Sequence, residues 1–141
     1  MAATRIEVRI CIDVDDVERG IAFYTTALPL TVGRRLGRDW VELLGAMAPI
    51  DLLATAAGSA PSPRSIARRD FARHWTPVHL DFVVENVDAA VQRALAAGAV
   101  LEHPLRVDPY GRLARLADPF GHGLCLIEMN ELGYDALLDR G

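Results

Sequence analysis

Hydrophobic and polar residues alternate along segment 78–84 of the chain, which reads VHLDFVV. Its first, third, fifth and seventh residues are apolar, whereas His79 and Asp81 fall on the opposite face of an extended strand. Asn86 then stands where a side chain can accept a backbone N–H bond at the start of a helix, and Gly98 suits the left-handed residue just past the helix end. The pattern therefore predicts a half-buried strand followed by a capped helix.

The same pattern occurs seventy positions earlier in the chain. Segment 8–14 alternates in the same way, and Arg9 stands where the later segment has His79. Segment 50–53 in turn matches segment 124–127 at a shift of seventy-four. A repeat of this length indicates two copies of one structural unit. The sequence therefore predicts an α+β fold of two tandem βαβββ modules.

The module boundaries follow from the turn-forming residues between the apolar segments. We predict one domain over residues 1–141, with module one at about 5–55, a joining loop at 56–74, module two at about 75–128 and a tail at 129–141. The predicted helix of module one covers 17–26, and its later strands cover 30–35, 40–44 and 50–54. Module two has predicted strands at 100–107, 113–116 and 124–128. Short helical stretches are predicted at 65–73 and in the tail, where Leu132, Tyr134 and Leu137 would pack.

Composition narrows the class of protein. The 141 residues are 51% hydrophobic, enough to bury a core, and the net charge of −4 provides no basic field for nucleic acid, although all fifteen basic residues are arginine. No apolar run is long enough for a membrane span, and Met1–Thr4 lead directly into the first strand without a signal-peptide core. Two cysteines are too few for a disulfide scaffold. We expect a cytoplasmic protein that contacts neither nucleic acid nor membrane.

Three motifs give the chain a family resemblance. They are the segment Val14–Glu18 leading to Tyr24, the segment Val84–Ala90 leading to Gly98, and the turn Asp118–His122. With them the sequence resembles the vicinal oxygen chelate superfamily, which includes glyoxalase I, bleomycin-resistance proteins and extradiol dioxygenases. The resemblance covers about residues 6–128. It implies curved mixed sheets around a cavity and often a homodimer.

The resemblance also implies four positions that hold a divalent ion in metal-dependent members. They fall on Arg9, Asp51, His79 and Cys125. Strand parity alone places these side chains on the polar face of their strands. Arg9 cannot ligate a cation, because a guanidinium stays protonated and brings its own positive charge. If the first and last strands of a module are neighbours, Arg9 should reach Asp51, so the sequence predicts a degenerate metal site.

The first functional hypothesis is a small-molecule-binding protein without a metal cofactor. In this hypothesis Arg9 binds an anionic or carbonyl group of an organic ligand, Asp51 orients Arg9, and His79 donates, accepts or shuttles a proton. The candidate ligand-binding residues are Arg9, Asp51, His79, Cys125, Trp40, Trp75 and Tyr110.

Two alternatives remain open at the level of sequence. One is a metal-dependent lyase, isomerase or dioxygenase, in which His79, Asp51 and Cys125 would hold zinc, nickel, iron or manganese. The other is an enzyme without metal that uses His79 or Cys125 as its catalytic residue. The sequence names neither the ligand nor the way in which the modules pair, within one chain or between two.

Overall fold

The structure is a computed structural model that describes residues 5–141. The expectation for Met1–Thr4 lies outside the described residues. The chain forms two compact units, the first ending at Arg69 and the second covering Asp70–Gly141. The joining segment is thus divided between the two units. No helix in the described range is both long and apolar enough to cross a membrane.

The first unit is a helix packed on a four-stranded mixed sheet. The sheet has the order β1-β4-β3-β2, in which β1 is parallel to β4 and the other neighbours are antiparallel. Its elements are β1 (Ile10–Val14), α1 (Val17–Ala27), β2 (Thr31–Arg35), β3 (Trp40–Leu44) and β4 (Ile50–Ala54).

The second unit repeats this arrangement. Its sheet has the order β5-β9-β8-β6, with β7 also paired to β8, and β5 is parallel to β9. Its elements are β5 (Leu80–Val83), α2 (Val87–Ala97), β6 (Val100–Leu101), β7 (Arg106–Asp108), β8 (Gly111–Ala117), β9 (Gly123–Met129) and a 3₁₀ helix (Gly133–Leu137). The predicted α+β fold class is confirmed.

Both helices begin and end at chemically suitable residues. The side chain of Asp16 accepts a hydrogen bond from Arg19 N at 2.8 Å, and that of Asn86 accepts one from Ala89 N at 2.9 Å. Gly98 ends α2 with a φ of +112°, a region that a residue with a Cβ atom rarely adopts. These caps place the two helices at equivalent points of the repeat.

Strand alternation separates the core from the polar face of each sheet. In the first unit, Val14 and Leu52 are fully buried, and both approach Gly20 on α1. Arg9 and Asp51 stand at the alternate positions and therefore project from the other side of the sheet. The polar face is thus held by a rigid, well-packed layer.

Three local predictions were wrong. Segment 65–73 is not helical, because its backbone pairs with residues 58–59 through Gly58 N to Arg69 O and Arg69 N to Ser59 O. The strand predicted at 100–107 is divided into β6 and β7 around Pro104, which has no N–H to donate. The tail helix forms, but Leu132 and Leu137 are more than half exposed.

Candidate functional site

Module one contains a cluster of charged side chains on its polar face. Arg9 donates from Nε and Nη2 to the two carboxylate oxygens of Asp51, at 2.9 and 2.7 Å, and from Nη2 to Glu42 at 2.7 Å. Arg34 donates two further bonds to Glu42, at 3.0 and 2.8 Å. The predicted contact between Arg9 and Asp51 is therefore present, and a second carboxylate joins it.

The electrostatics of this cluster favour its charged forms. Asp51 is 1% exposed, yet hydrogen bonds from Arg9 keep the pKa of its carboxyl group below the ordinary value despite burial. Hydrogen bonds from Arg34 and Arg9 lower the pKa of Glu42 to about 2. The hydrogen bonds of Arg9 to Asp51, and then to Glu42, raise the pKa of its guanidinium. Two guanidinium groups thus compensate two carboxylates.

Module two carries different chemistry at the corresponding positions. The Nε2 atom of His79 lies 3.2 Å from Oδ1 of Asp81, and Asp81 is the register partner of Cys125 on the neighbouring strand. Burial, followed by the charge of Asp81, raises the pKa of the Cys125 thiol, whereas nearby Arg115 opposes that rise. Cys125 is therefore a protonated thiol at neutral pH.

A cavity of about 190 Å³ opens beside these residues. It is lined by Arg73, Trp75, Thr76, His79, Arg115 and Cys125, with Gly123 and Leu124. Trp75 is 81% exposed and can contact a ligand on one ring face. We call this cavity the module-two pocket.

One wall of the module-two pocket is the extended segment 73–76, which hydrogen bonds fix to the turn before β9. His74 N donates to Gly121 O at 3.1 Å, and His74 Nε2 and His122 Nδ1 are 2.9 Å apart. Arg73 donates to the carboxylate of Glu102 at 2.7 and 2.9 Å, and these bonds hold its guanidinium beside the cavity. The wall is ordered although it has no regular secondary structure.

The metal site that the resemblance implies does not fit module one. Arg9 offers no lone pair, and both oxygens of Asp51 already accept bonds from its guanidinium. The metal set predicted as an alternative therefore loses Asp51 as a free ligand. In module two, the donor atoms of His79, Asp81 and Cys125 lie within 4.8 Å of one another. These donor types suit zinc, but Arg115 beside Cys125 adds a positive charge.

The predicted ligand-binding residues have different surroundings. His79, Cys125 and Trp75 line the module-two pocket. Trp40 lies in the first unit on β3 and is 40% exposed. Tyr110 does not line this cavity; it is buried against Cys125, and its ring meets that of Tyr134 edge to face at 5.1 Å. Their roles in binding stay predictions.

Sequence reasoning missed Glu42, Arg115 and Arg73. Parity could have found the first two, because each is a charged residue on the polar face of a strand beside the last strand of its module. Arg73 belongs to an irregular segment, in which no periodic pattern indicates where a side chain lies.

Comparison with known proteins gives consistent matches. A family model described as a glyoxalase-like domain matches residues 9–127. An uncharacterized protein of Mycobacterium bovis is 34% identical over 119 residues, which cover 77% of this chain and 74% of that protein.

Solved structures show the same fold at lower identity. The fosfomycin resistance protein FosX from Listeria monocytogenes is 20% identical with a TM-score of 0.67, and the match covers 98% of this chain and all of that one. TnmS3, an antibiotic-binding protein from Streptomyces, is 20% identical with a TM-score of 0.61, and the match covers 92% and 99% of the two chains.

Proposed function

Because the chain belongs to the glyoxalase-like domain family, within the glyoxalase/bleomycin resistance/dioxygenase superfamily, we propose that it binds a small organic molecule and has a degenerate metal site. The guanidinium of Arg9 takes the place of the metal's charge in module one. The module-two pocket holds the ligand. A homodimer and a cytoplasmic location remain part of the same hypothesis.

The observation that carries this proposal is the bidentate bond from Arg9 to Asp51. A metal ion at this centre would have to displace the guanidinium of Arg9 from the carboxylate of Asp51, which is 1% exposed. The positive charge of Arg9 would then have lost Asp51 and would lie next to the positive metal ion. Glu42 adds a second negative charge that also stabilises Arg9. The carboxylates of Asp51 and Glu42 therefore suit a fixed side-chain cation at this position.

The shape of the module-two pocket supports a modest ligand. Drug-sized molecules usually occupy roughly 300–1,000 Å³, and this cavity has about 190 Å³. It therefore fits a small molecule or one end of a larger one, with the rest passing Trp75 into solvent. Solved relatives described as antibiotic-binding and fosfomycin resistance proteins agree with a binding role.

The experiment measures metal content and pocket binding on one preparation. Protein purified without a metal-binding tag is subjected to elemental analysis and then titrated with benzamide while the amide resonances of Thr76 and Cys125 are followed by NMR. We expect no stoichiometric zinc, nickel, iron or manganese, and saturable shifts at the pocket. The control is Gly123→Val, whose side chain would collide with the guanidinium of Arg73 beside the cavity and should block the shifts.

A second candidate function is metal-dependent lyase, isomerase or dioxygenase activity. The observation in its favour is the cluster of His79, Asp81 and Cys125, whose donor atoms are within 4.8 Å. A stoichiometric metal that is lost in His79→Ala would establish this candidate and overturn the first. Catalysis by Cys125 without metal is less favoured, because burial raises the pKa of its thiol.

A further inference from the structure

The two modules differ in charge at one level of their sheets. In module one, the residues paired across β1, β4 and β3 are Cys11, Asp51 and Glu42. In module two, the residues paired across β5, β9 and β8 are Asp81, Cys125 and Arg115. The thiol and the aspartate have exchanged strands, and Arg115 stands where module one has Glu42. A positive group therefore replaces a negative one beside the pocket.

Arg115 is the charged group at the module-two pocket that has no ion-pair partner. Arg73 is bound by both oxygens of Glu102, and His79 lies 3.2 Å from Asp81. Within the described part of the chain, no carboxylate lies within ion-pair distance of Arg115. Its side chain interacts with the Cys125 thiol, and Glu102, which Arg73 already binds, acts on it only through longer-range electrostatics. Its planar N–H fork is available to an acceptor in the cavity.

We propose that the module-two pocket is a carboxylate-binding site whose anchor is Arg115, and that its ligand is a small aromatic or other planar organic monoanion. This inference rests on the proposed small-molecule function and names the chemical class of the ligand.

The geometry accounts for both parts of that class. A guanidinium donates two parallel N–H bonds to a carboxylate, which an ammonium cannot do. Arg115 is one cation without an ion-pair partner among the described residues, because Glu102 already compensates Arg73. A ligand with a single negative charge would compensate it. The exposed ring of Trp75 at the side of the pocket can stack on a planar group.

The test compares benzoate with benzamide, which share a ring and differ in charge. Trp40 and Trp75 are the two tryptophans, so the part of the fluorescence response that is absent in Trp75→Phe reports binding at the pocket. We expect benzoate to bind about tenfold or more tightly than benzamide, since about 1.4 kcal/mol corresponds to tenfold. Arg115→Gln should abolish this preference, and Arg115→Lys should restore only part of it, because the charge returns without the planar fork.

The matched control is Arg106→Gln, which removes the same charge from the same unit at a residue paired with Asp108 and outside the pocket. It should leave the preference for benzoate intact. Equal affinity of benzoate and benzamide for the parent, or a preference that survives Arg115→Gln, would refute the carboxylate site and leave the small-molecule function standing. Silence of Trp75 towards both probes would refute the carboxylate site and the proposed function together.

Discussion

Gly121 connects the turn before β9 to the wall of the module-two pocket, and replacing it with alanine should disrupt both. Its φ is +84°, in the left-handed region. A Cβ atom built there would overlap the carbonyl oxygen of Ala72 and lie 2.9 Å from that of Phe71. The overlapped atoms are backbone atoms of the two residues just before the wall segment, so no side-chain rotation can relieve the clash.

The expected cost is the sum of two effects. A left-handed conformation costs a residue with a Cβ atom roughly 1–2 kcal/mol. Displacement of the wall adds the loss of the bond from His74 N to Gly121 O and of the contact between His74 and His122, at about 1 kcal/mol each. Gly121→Ala should therefore destabilise the protein by about 3 kcal/mol or more.

Gly98→Ala is the control that separates conformational strain from collision. Gly98 also has positive φ, at +112°, but its added Cβ atom would meet only the Cγ atom of Pro119 at an ordinary 3.5 Å. Urea denaturation followed by circular dichroism gives both free energies of unfolding, and Trp75 fluorescence with benzamide gives binding. Gly121→Ala should lose more stability than Gly98→Ala and should lose binding. Equal losses of stability, or undisturbed binding in Gly121→Ala, would refute the role given to this glycine.

Three further predictions concern the charged centre of module one and the thiol of module two. Arg9→Ala should lower the midpoint of thermal unfolding more than Arg34→Ala, because Arg9 bridges two carboxylates. Adding Asp51→Asn to Arg9→Ala should recover part of the loss, because it removes the unpaired buried charge. Equal midpoints for the two single variants would contradict the bridge. Glu42 has a pKa of about 2 in the folded protein against 4.5 ordinarily, so its contribution to stability is complete above about pH 4.5 and is lost as the pH falls towards 2. The free energy of unfolding, measured by urea denaturation, should therefore change less over this pH range in Glu42→Gln than in the parent. Cys125 in a Cys11→Ser background should react with iodoacetamide at neutral pH more slowly than the same thiol in urea, and equal rates would favour a reactive nucleophile.

The elements that repeat were predictable because local chemistry specifies them. Asp16 and Asn86 cap their helices through their own side chains, and both modules place the first strand parallel to the last. The contact between Arg9 and Asp51 needed the family resemblance as well, since parity gives the face but the resemblance implied that the two strands are neighbours. Periodicity and caps therefore sufficed for the repeated strands and helices, and the resemblance added one half of the charged centre.

The pocket was less predictable because its wall depends on contacts distant in sequence. Arg73 is positioned by Glu102, and His74 by Gly121 and His122, across separations of 29 to 48 residues. Nothing within segment 70–76 indicates these partners. Strand parity could have predicted the face on which Arg115 lies. Its place beside Cys125 at the pocket depends in addition on the pairing of β8 with β9.

The contrast between the two centres follows from which charges occupy equivalent positions in the sheet. In module one, Asp51 and Glu42 are paired across neighbouring strands, and their two negative charges bring in the guanidinium groups of Arg9 and Arg34. In module two, the position of Glu42 is taken by Arg115. The positive charge of Arg115 does not attract another guanidinium as Glu42 does in module one. Arg73, the other arginine at the pocket, pairs with Glu102. The space beside Cys125 is consequently left open as a cavity, whereas the corresponding centre of module one is occupied by its own ion pairs.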